Sequence, residues 1–259
     1  MTTHGKSTTQ AQSRRRLKGL RVDEGYTLHP YDLEHGVRTS GLVAGRDLKC
    51  GSPSDRHTTA YYAVAPSVER ELIARWRRSC PVAPIEAYNF VDFGAGMGRA
   101  MLVASEYPFR AIHGVELHPT LAGIARRNLR LWRKAGRERA PIRMHCGNVL
   151  GYRLPPGPCL LFLFNPFEAP VIKRLLKQWT REWKSREHPV DLLYVNHEHE
   201  ALLRSTPGWK RLWEGRVQRW RVDAVADRNI MDAQPDGEYI ARNWEECAIF
   251  RWTGEAPKS

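Results

Sequence analysis

Residues 90–99 read Phe-Val-Asp-Phe-Gly-Ala-Gly-Met-Gly-Arg: an apolar strand runs into three glycines spaced two apart, and the helical pattern Ala100-Met101-Leu102-Val103-Ala104 follows at once. Strand, glycine turn and helix start together predict a nucleotide-type cofactor site. Glycines let the backbone approach a ligand closely, and a new helix presents unpaired N–H groups to a carboxylate or phosphate. The spacing argues against a dinucleotide, whose fingerprint is G-x-G-x-x-G. Arg99 stands where the third glycine of that pattern belongs, and Gly98 falls one residue early. A P-loop is excluded, because no Gly-Lys-Ser/Thr follows the glycines.

Two further positions extend the reading outward. Asp92 lies on the strand itself, and a second apolar strand, Ile112 to Val115, ends in Glu116, 18 residues beyond Gly98. A carboxylate at that tip suits a ribose diol, since two hydroxyl donors meet two acceptor oxygens. Asn165 follows the very apolar strand Leu160-Leu161-Phe162-Leu163-Phe164. A polar amide at the tip of a central strand sits in the crevice where open α/β sheets bind ligands, and Asn-Pro sets a rigid, non-helical turn.

The stretch Val91 to Arg99, then Gly114-Val115-Glu116, then Asn165-Pro166-Phe167, resembles class I AdoMet-dependent methyltransferases. Ala104 to Phe109 and Phe164 to Phe167 are similar to a group of bacterial methyltransferases with an Asn-Pro-Phe turn. The resemblance covers about residues 60–200. It implies that S-adenosyl-L-methionine is the cofactor, held by Tyr62, Asp92, Gly94, Ala95, Gly96, Gly98, Glu116, Leu117, Asn148, Val149 and Asn165. It implies a catalytic turn of Asn165, Pro166 and Phe167, with Leu117 and His118 flanking the adenine. The family often has Asp where Asn148 stands; Asn either accepts from the adenine amine through its carbonyl or is a plain turn residue. In relatives that methylate nitrogen, the Asn carbonyl accepts from the target N–H. The Asn-Pro-Phe form lacks their second proline. Tyr61 and Tyr62 either pack in the core or stack on a sulfonium or amine. The resemblance points to N-methylation of a protein lysine or another amine acceptor. An RNA methyltransferase, or a non-catalytic nucleic-acid-binding protein with the same fold, is the alternative.

Composition sets the outer bounds. The apolar fraction is 42%, enough for a substantial core, yet the longest apolar run, Cys159 to Phe164, is six residues. A bilayer span needs about 20, so no membrane span and a cytoplasmic protein are expected. Five cysteines without C-x-x-C suggest reduced thiols and no structural zinc. His197-Glu198-His199-Glu200 is not H-E-x-x-H and reads as a solvated loop or a substrate-side acid pair. The net charge is +13, concentrated in residues 1–20 and 126–139. That concentration marks either an acidic partner or a solvated basic face.

The remaining pattern predicts the architecture. Residues 1–20 read as a disordered basic arm, 21–65 as an irregular extension over the cofactor site, and 66–259 as the cofactor-binding domain. A helix begins near Pro66 with Val68, Leu72, Ile73 and Trp76 on one face. Strands near 88–93, 111–116, 142–146, 159–164 and 191–195 alternate with helices near 98–106, 119–135 and 168–185. This rhythm predicts an α/β, Rossmann-like, mostly parallel sheet of seven strands. Its antiparallel C-terminal edge is expected from strands near 212–224 and 246–252. Trp179 and Trp183, one helical turn apart, are expected to pack in the core.

Overall fold

The strands that end in Phe93, Glu116 and Phe164 lie side by side at the centre of one sheet in a computed structural model of the chain. It describes residues 27–79, 81–184, 186–233 and 240–254. The proposed arm at 1–20 and Cys80 lie outside the described residues. The extension is more regular than its turn-rich sequence predicts. It contains a helix α1 (Pro30–His35) and a two-strand antiparallel ladder of β1 (Leu42–Val43) and β2 (Tyr61–Tyr62).

Among the described residues seven strands form the main sheet: β3 (Asn89–Phe93), β4 (Ala111–Glu116), β5 (Ile142–Cys146), β6 (Cys159–Phe164), β7 (Val190–Val195), β8 (Trp209–Gln218) and β9 (Trp244–Trp252). Their order is β5-β4-β3-β6-β7-β9-β8. Strands β3 to β7 are parallel, while β9 runs antiparallel to β7 and β8 antiparallel to β9. This is a Rossmann-like, mostly parallel seven-strand sheet, with the antiparallel C-terminal edge the sequence predicts. Central strands β3, β4, β6 and β7 are buried almost end to end because helices cover both faces. The chain lays β3, β4 and β5 outward on one side, then returns to set β6 beside β3. That reversal opens a crevice at the carboxyl ends of β3 and β6. Phe93 pairs with Leu163, so Gly94 and Phe164-Asn165 emerge there together.

Helix α2 (Pro66–Arg78) packs Val68, Leu72, Ile73 and Trp76 on one sheet face, beside α3 (Arg99–Ala104) and α4 (Pro119–Lys134). Helix α5 (Ala169–Glu182) packs Val171, Ile172, Leu175, Leu176 and Trp179 on the other. Each fully buried side chain of this size contributes about 1.5–3 kcal/mol. Trp179 stacks on Trp183 at 4.9 Å, and Trp209 and Trp252 close the cluster edge-on.

The tail departs from expectation. The strand expected over 212–224 begins earlier, at Trp209, and stops at Gln218; residues 221–232 form a helix, α7 (Arg221–Asp232). A short helix α6 (Glu200–Arg204) precedes β8. The cause is visible in α7 itself. Its buried face includes Asp223 and Asp227, while Val222 and Val225 face solvent. The apolar period that marks a helix, carried by Ala226, Ile230 and Met231, is blurred by those aspartates and valines.

Candidate functional site

The glycine loop takes its shape from two neighbours. Gly94 N and Ala95 N donate to Val115 O at 2.9 and 3.0 Å, which ties the loop to the end of β4. Gly94 (φ +81°) and Gly96 (φ +52°) occupy the left-handed region. A Cβ on Gly94 would lie 2.4 Å from Pro166 Cβ, and one on Gly96 would lie 2.1 Å from the Tyr61 ring. Backbone alone fits between the Asn165-Pro166-Phe167 turn and Tyr61. Gly98 is the N-cap of α3.

Two carboxyl groups face this loop. Glu116 Oε2 accepts from Gly96 N at 2.8 Å and Oε1 from His118 N at 2.7 Å. Burial pushes its carboxyl up, and these N–H bonds oppose the rise. Each oxygen keeps a further lone pair. Asp92 is buried, and desolvation, reinforced by the Glu116 charge, pushes it up to about 8. Behind it, Glu69 on α2 is fully buried with neither carboxyl oxygen hydrogen-bonded, and burial followed by the Asp92 charge raises it well above the usual carboxylate range.

Asn165 is held in the left-handed region at φ 38°, and Asn196, at the tip of the neighbouring strand β7, does the same at φ 49°. Both are unusual for residues with a side chain. The Asn165 backbone carbonyl accepts from Thr59 Oγ1 at 2.7 Å. Its side-chain Oδ1 is buried with no hydrogen-bond partner, and the residue is only 9% exposed. An amide oxygen in that position is costly unless something supplies a donor.

Asp92 and Glu116 border a cleft of about 900 Å³, part of it open to solvent. Its wall includes Asp92, Gly94 and Ala95 from the glycine side, and Glu116 and Leu117 from β4. Asn148 and Val149 line it after β5, Pro166 and Phe167 after β6, and Tyr62 from the extension. Gly96 and Gly98 are not on this wall. A larger cavity adjoins it, sharing Thr58, Thr59, Ala60, Tyr62 and Phe164; Asn165, Asn196 and Glu198 line that second space. The Asn148 side chain is engaged: Oδ1 accepts from Leu150 N at 3.0 Å and Nδ2 donates to Ser54 Oγ at 2.9 Å.

Segment 57–62 forms a strap between the cavities. Thr58 bridges to Phe167, Glu168 N donates to His57 O at 3.1 Å, and His57 Nδ1 meets Glu168 Oε2 at 2.8 Å. Tyr61 covers the glycine loop and donates its hydroxyl to Thr39 O at 2.6 Å, while the Tyr62 ring meets Phe164 edge-on at 6.2 Å.

Arg99 carries a role its first-turn position does not advertise. It is 2% exposed rather than solvated, and donates to Thr39 Oγ1 at 2.7 Å and Ser40 Oγ at 2.9 Å. Both hydroxyls in turn donate to the buried Asp32 carboxylate. Asn128 on α4 adds a second clasp, donating to Arg38 O and Met97 O and accepting from Arg38 N. No local sequence pattern signals either clasp. Of the His197-Glu198-His199-Glu200 stretch, only Glu198 lines the second cavity; Glu200 is buried and pairs with Arg211 at 2.9 Å. Among the described residues no cluster of three metal-ligating side chains occurs. No helix among them is long and apolar enough to cross a membrane.

No protein-family model matches the chain, and no curated protein does. The chain is similar, at low identity, to solved structures of methyltransferases. Precorrin-6y C5,15-methyltransferase from Geobacter metallireducens is 14% identical over 84% of this chain and 99% of that one, with a TM-score of 0.46. An RNA methyltransferase from Salinibacter ruber, solved in complex with S-adenosyl-L-homocysteine, is 17% identical over 72% of this chain and 95% of that one (TM-score 0.38). A SAM-dependent methyltransferase from Agrobacterium tumefaciens is 16% identical over 76% and 65%, with a TM-score of 0.43. Scores this low assign neither substrate nor activity to this chain.

Proposed function

We propose that the chain is an S-adenosyl-L-methionine-dependent methyltransferase acting on an N–H acceptor, a protein lysine or another amine. The observation that carries this reading is the orphaned Asn165 Oδ1, buried on a residue that lines the second cavity and stands between Phe164 and Pro166 of the cleft wall. It is an acceptor waiting for a donor. An amine nitrogen entering from the second cavity satisfies it and is held with its lone pair toward the cleft.

The chain's own groups fit the cofactor. Glu116 retains lone pairs for a ribose diol, and Asp92 offers a buried carboxyl to the cofactor's cationic amino-acid end. Leu117 and Val149 supply apolar walls, and Tyr62 faces both cavities. When bound, the cofactor supplies a sulfonium methyl for in-line displacement by the nitrogen lone pair. The protein's part is alignment and exclusion of water, and no dedicated base is needed. We read the 57–62 strap as the cover that excludes that water.

Thermal shift with S-adenosyl-L-methionine, S-adenosyl-L-homocysteine and NAD tests the cofactor. A ligand that binds only the folded state at 100 times its Kd stabilises by about 2.7 kcal/mol. Stabilisation by NAD and not by S-adenosyl-L-methionine overturns the reading. Tritiated methyl chased into host protein, RNA and lipid fractions identifies the acceptor; label in lipid alone rejects the protein lysine.

A further inference from the structure

The net charge of +13 is not spread over the molecule. Residues 1–20 carry a net +5 and residues 126–139 a net +6. Several arginines elsewhere are matched with carboxylates: Arg70 with Glu106 at 2.6 Å, Arg153 with Glu182 at 3.3 Å, Arg251 with Asp191 at 2.6 Å. On α4 four neighbouring cations are not. Arg126, Arg127, Arg130 and Lys134 are exposed and form no ion pair among the described residues; Arg133 alone pairs, with Glu138.

These cations occupy the outer face of the C-terminal half of α4, beside the exposed Leu131 and opposite the buried Leu121, Ala125, Leu129 and Trp132. Arg126, Arg127 and Arg130 lie too far from the helix C-terminus to gain from its dipole, which acts only within the last turn. Like charges at i, i+3 and i+4 repel by a few tenths of a kcal/mol per pair. The face is therefore mildly costly to the free protein and favourable only against an anion.

We propose that the outer face of α4 binds the phosphate backbone of nucleic acid. Arginine dominates the stripe, and its planar fork matches phosphate oxygens two at a time. From 126 to 134 the stripe is about 12 Å long at 1.5 Å per residue, enough for roughly two to three successive phosphates of one strand. An anionic membrane is a poorer fit, because an interfacial helix must expose its apolar face, and that of α4 lies in the core. No residue from 122 to 146 lines either cavity, so this is a docking surface beside the proposed site. It does not rest on the methyltransferase reading.

The test is fluorescence anisotropy of the full chain with a labelled 20-base-pair RNA duplex across 50–200 mM salt, against a variant carrying R126Q, R127Q, R130Q and K134Q. Glutamine is a good helix former at exposed positions, and circular dichroism with a melting curve checks the variant's fold. Wild type should show log Kd rising with log salt, and the variant should bind at least about tenfold more weakly at 100 mM with a slope lower by about 3. The basic residues before position 21 are present in both proteins, so the difference belongs to α4. Equal binding by the two proteins, no RNA binding by wild type, or tighter binding to polyglutamate or phosphatidylserine vesicles overturns the proposal. S-adenosyl-L-methionine thermal shift, equal in both proteins, separates this result from the fate of the cofactor reading.

Discussion

At the residue scale, Asn165 concentrates the strain and the unmet hydrogen bond. A left-handed backbone at a residue with a side chain costs about 1–2 kcal/mol and suits Gly or Asn best. Asn165→Gly should therefore fold as well as wild type and bind S-adenosyl-L-methionine equally. Its turnover should fall about 100-fold, on the scale of losing one aligned acceptor or donor in an active site. Equal turnover removes the amide from the mechanism. Glu116 makes a different prediction, because its carboxylate also staples Gly96 and His118. Glu116→Ala should weaken cofactor binding and lower stability by about 2–4 kcal/mol, leaving two N–H groups unpaired. A variant with unchanged affinity in calorimetry refutes the ribose role.

At the scale of elements, Arg99 is the pin between α3 and the extension. Removing one partner from a buried ionic network costs about 3–5 kcal/mol. Arg99→Ala should lose that much in denaturant unfolding; a loss under about 1 kcal/mol shows that Asn128 and Tyr61 hold the extension without it. The same residue explains what the sequence could and could not reveal. Strands β3, β4, β6 and β7 are legible because burial on both faces leaves continuous apolar runs bounded by Gly, Pro or Asn. Asn165, Glu116 and the glycines are legible because each sits at a strand tip, where local order fixes its place. Arg99 was informative only as a departure from the dinucleotide pattern. Its partners, Thr39 and Ser40, are 60 and 59 residues away, and no spacing rule joins them. The same holds for Asp191, which gathers Trp76 Nε1, Tyr88 and Arg251 in the core. Helix α7 was hidden for the complementary reason: aspartates stand on the face it buries.

At the scale of the whole molecule, the buried titratable groups set a pH profile with a defined sign. Burial lowers His29 and His113 to about 4, from an ordinary value near 6.5. Between those values the unfolded chain takes up protons the folded chain refuses, so stability rises with pH up to about 6.5. The buried carboxyls act in the opposite direction. Folded Asp92 holds its proton up to about 8, and Glu69 is raised as well, while the unfolded chain loses both near 4. Their stabilisation is fully present below the unfolded value and is lost as pH climbs through the folded ones. Above pH 6.5 the histidines add nothing further, so the decline stands alone between 6.5 and 8. One proton difference is worth about 1.4 kcal/mol per pH unit, or about 2 kcal/mol over that window from Asp92. For a chain of this size that corresponds to a fall in Tm of about 4–8 °C. The ligand-free protein should show that fall, and Asp92→Asn should show much less of it. Saturating S-adenosyl-L-methionine should also flatten the profile, because a cation beside Asp92 favours its ionised form. In that case binding at pH 7 releases close to one proton, which calorimetry in two buffers of different ionisation enthalpy reads directly. A Tm that is level or rising from pH 6.5 to 8 without ligand contradicts the buried protonated carboxyl. A falling Tm combined with proton-neutral binding leaves that carboxyl in place and moves the cofactor's cationic end away from it.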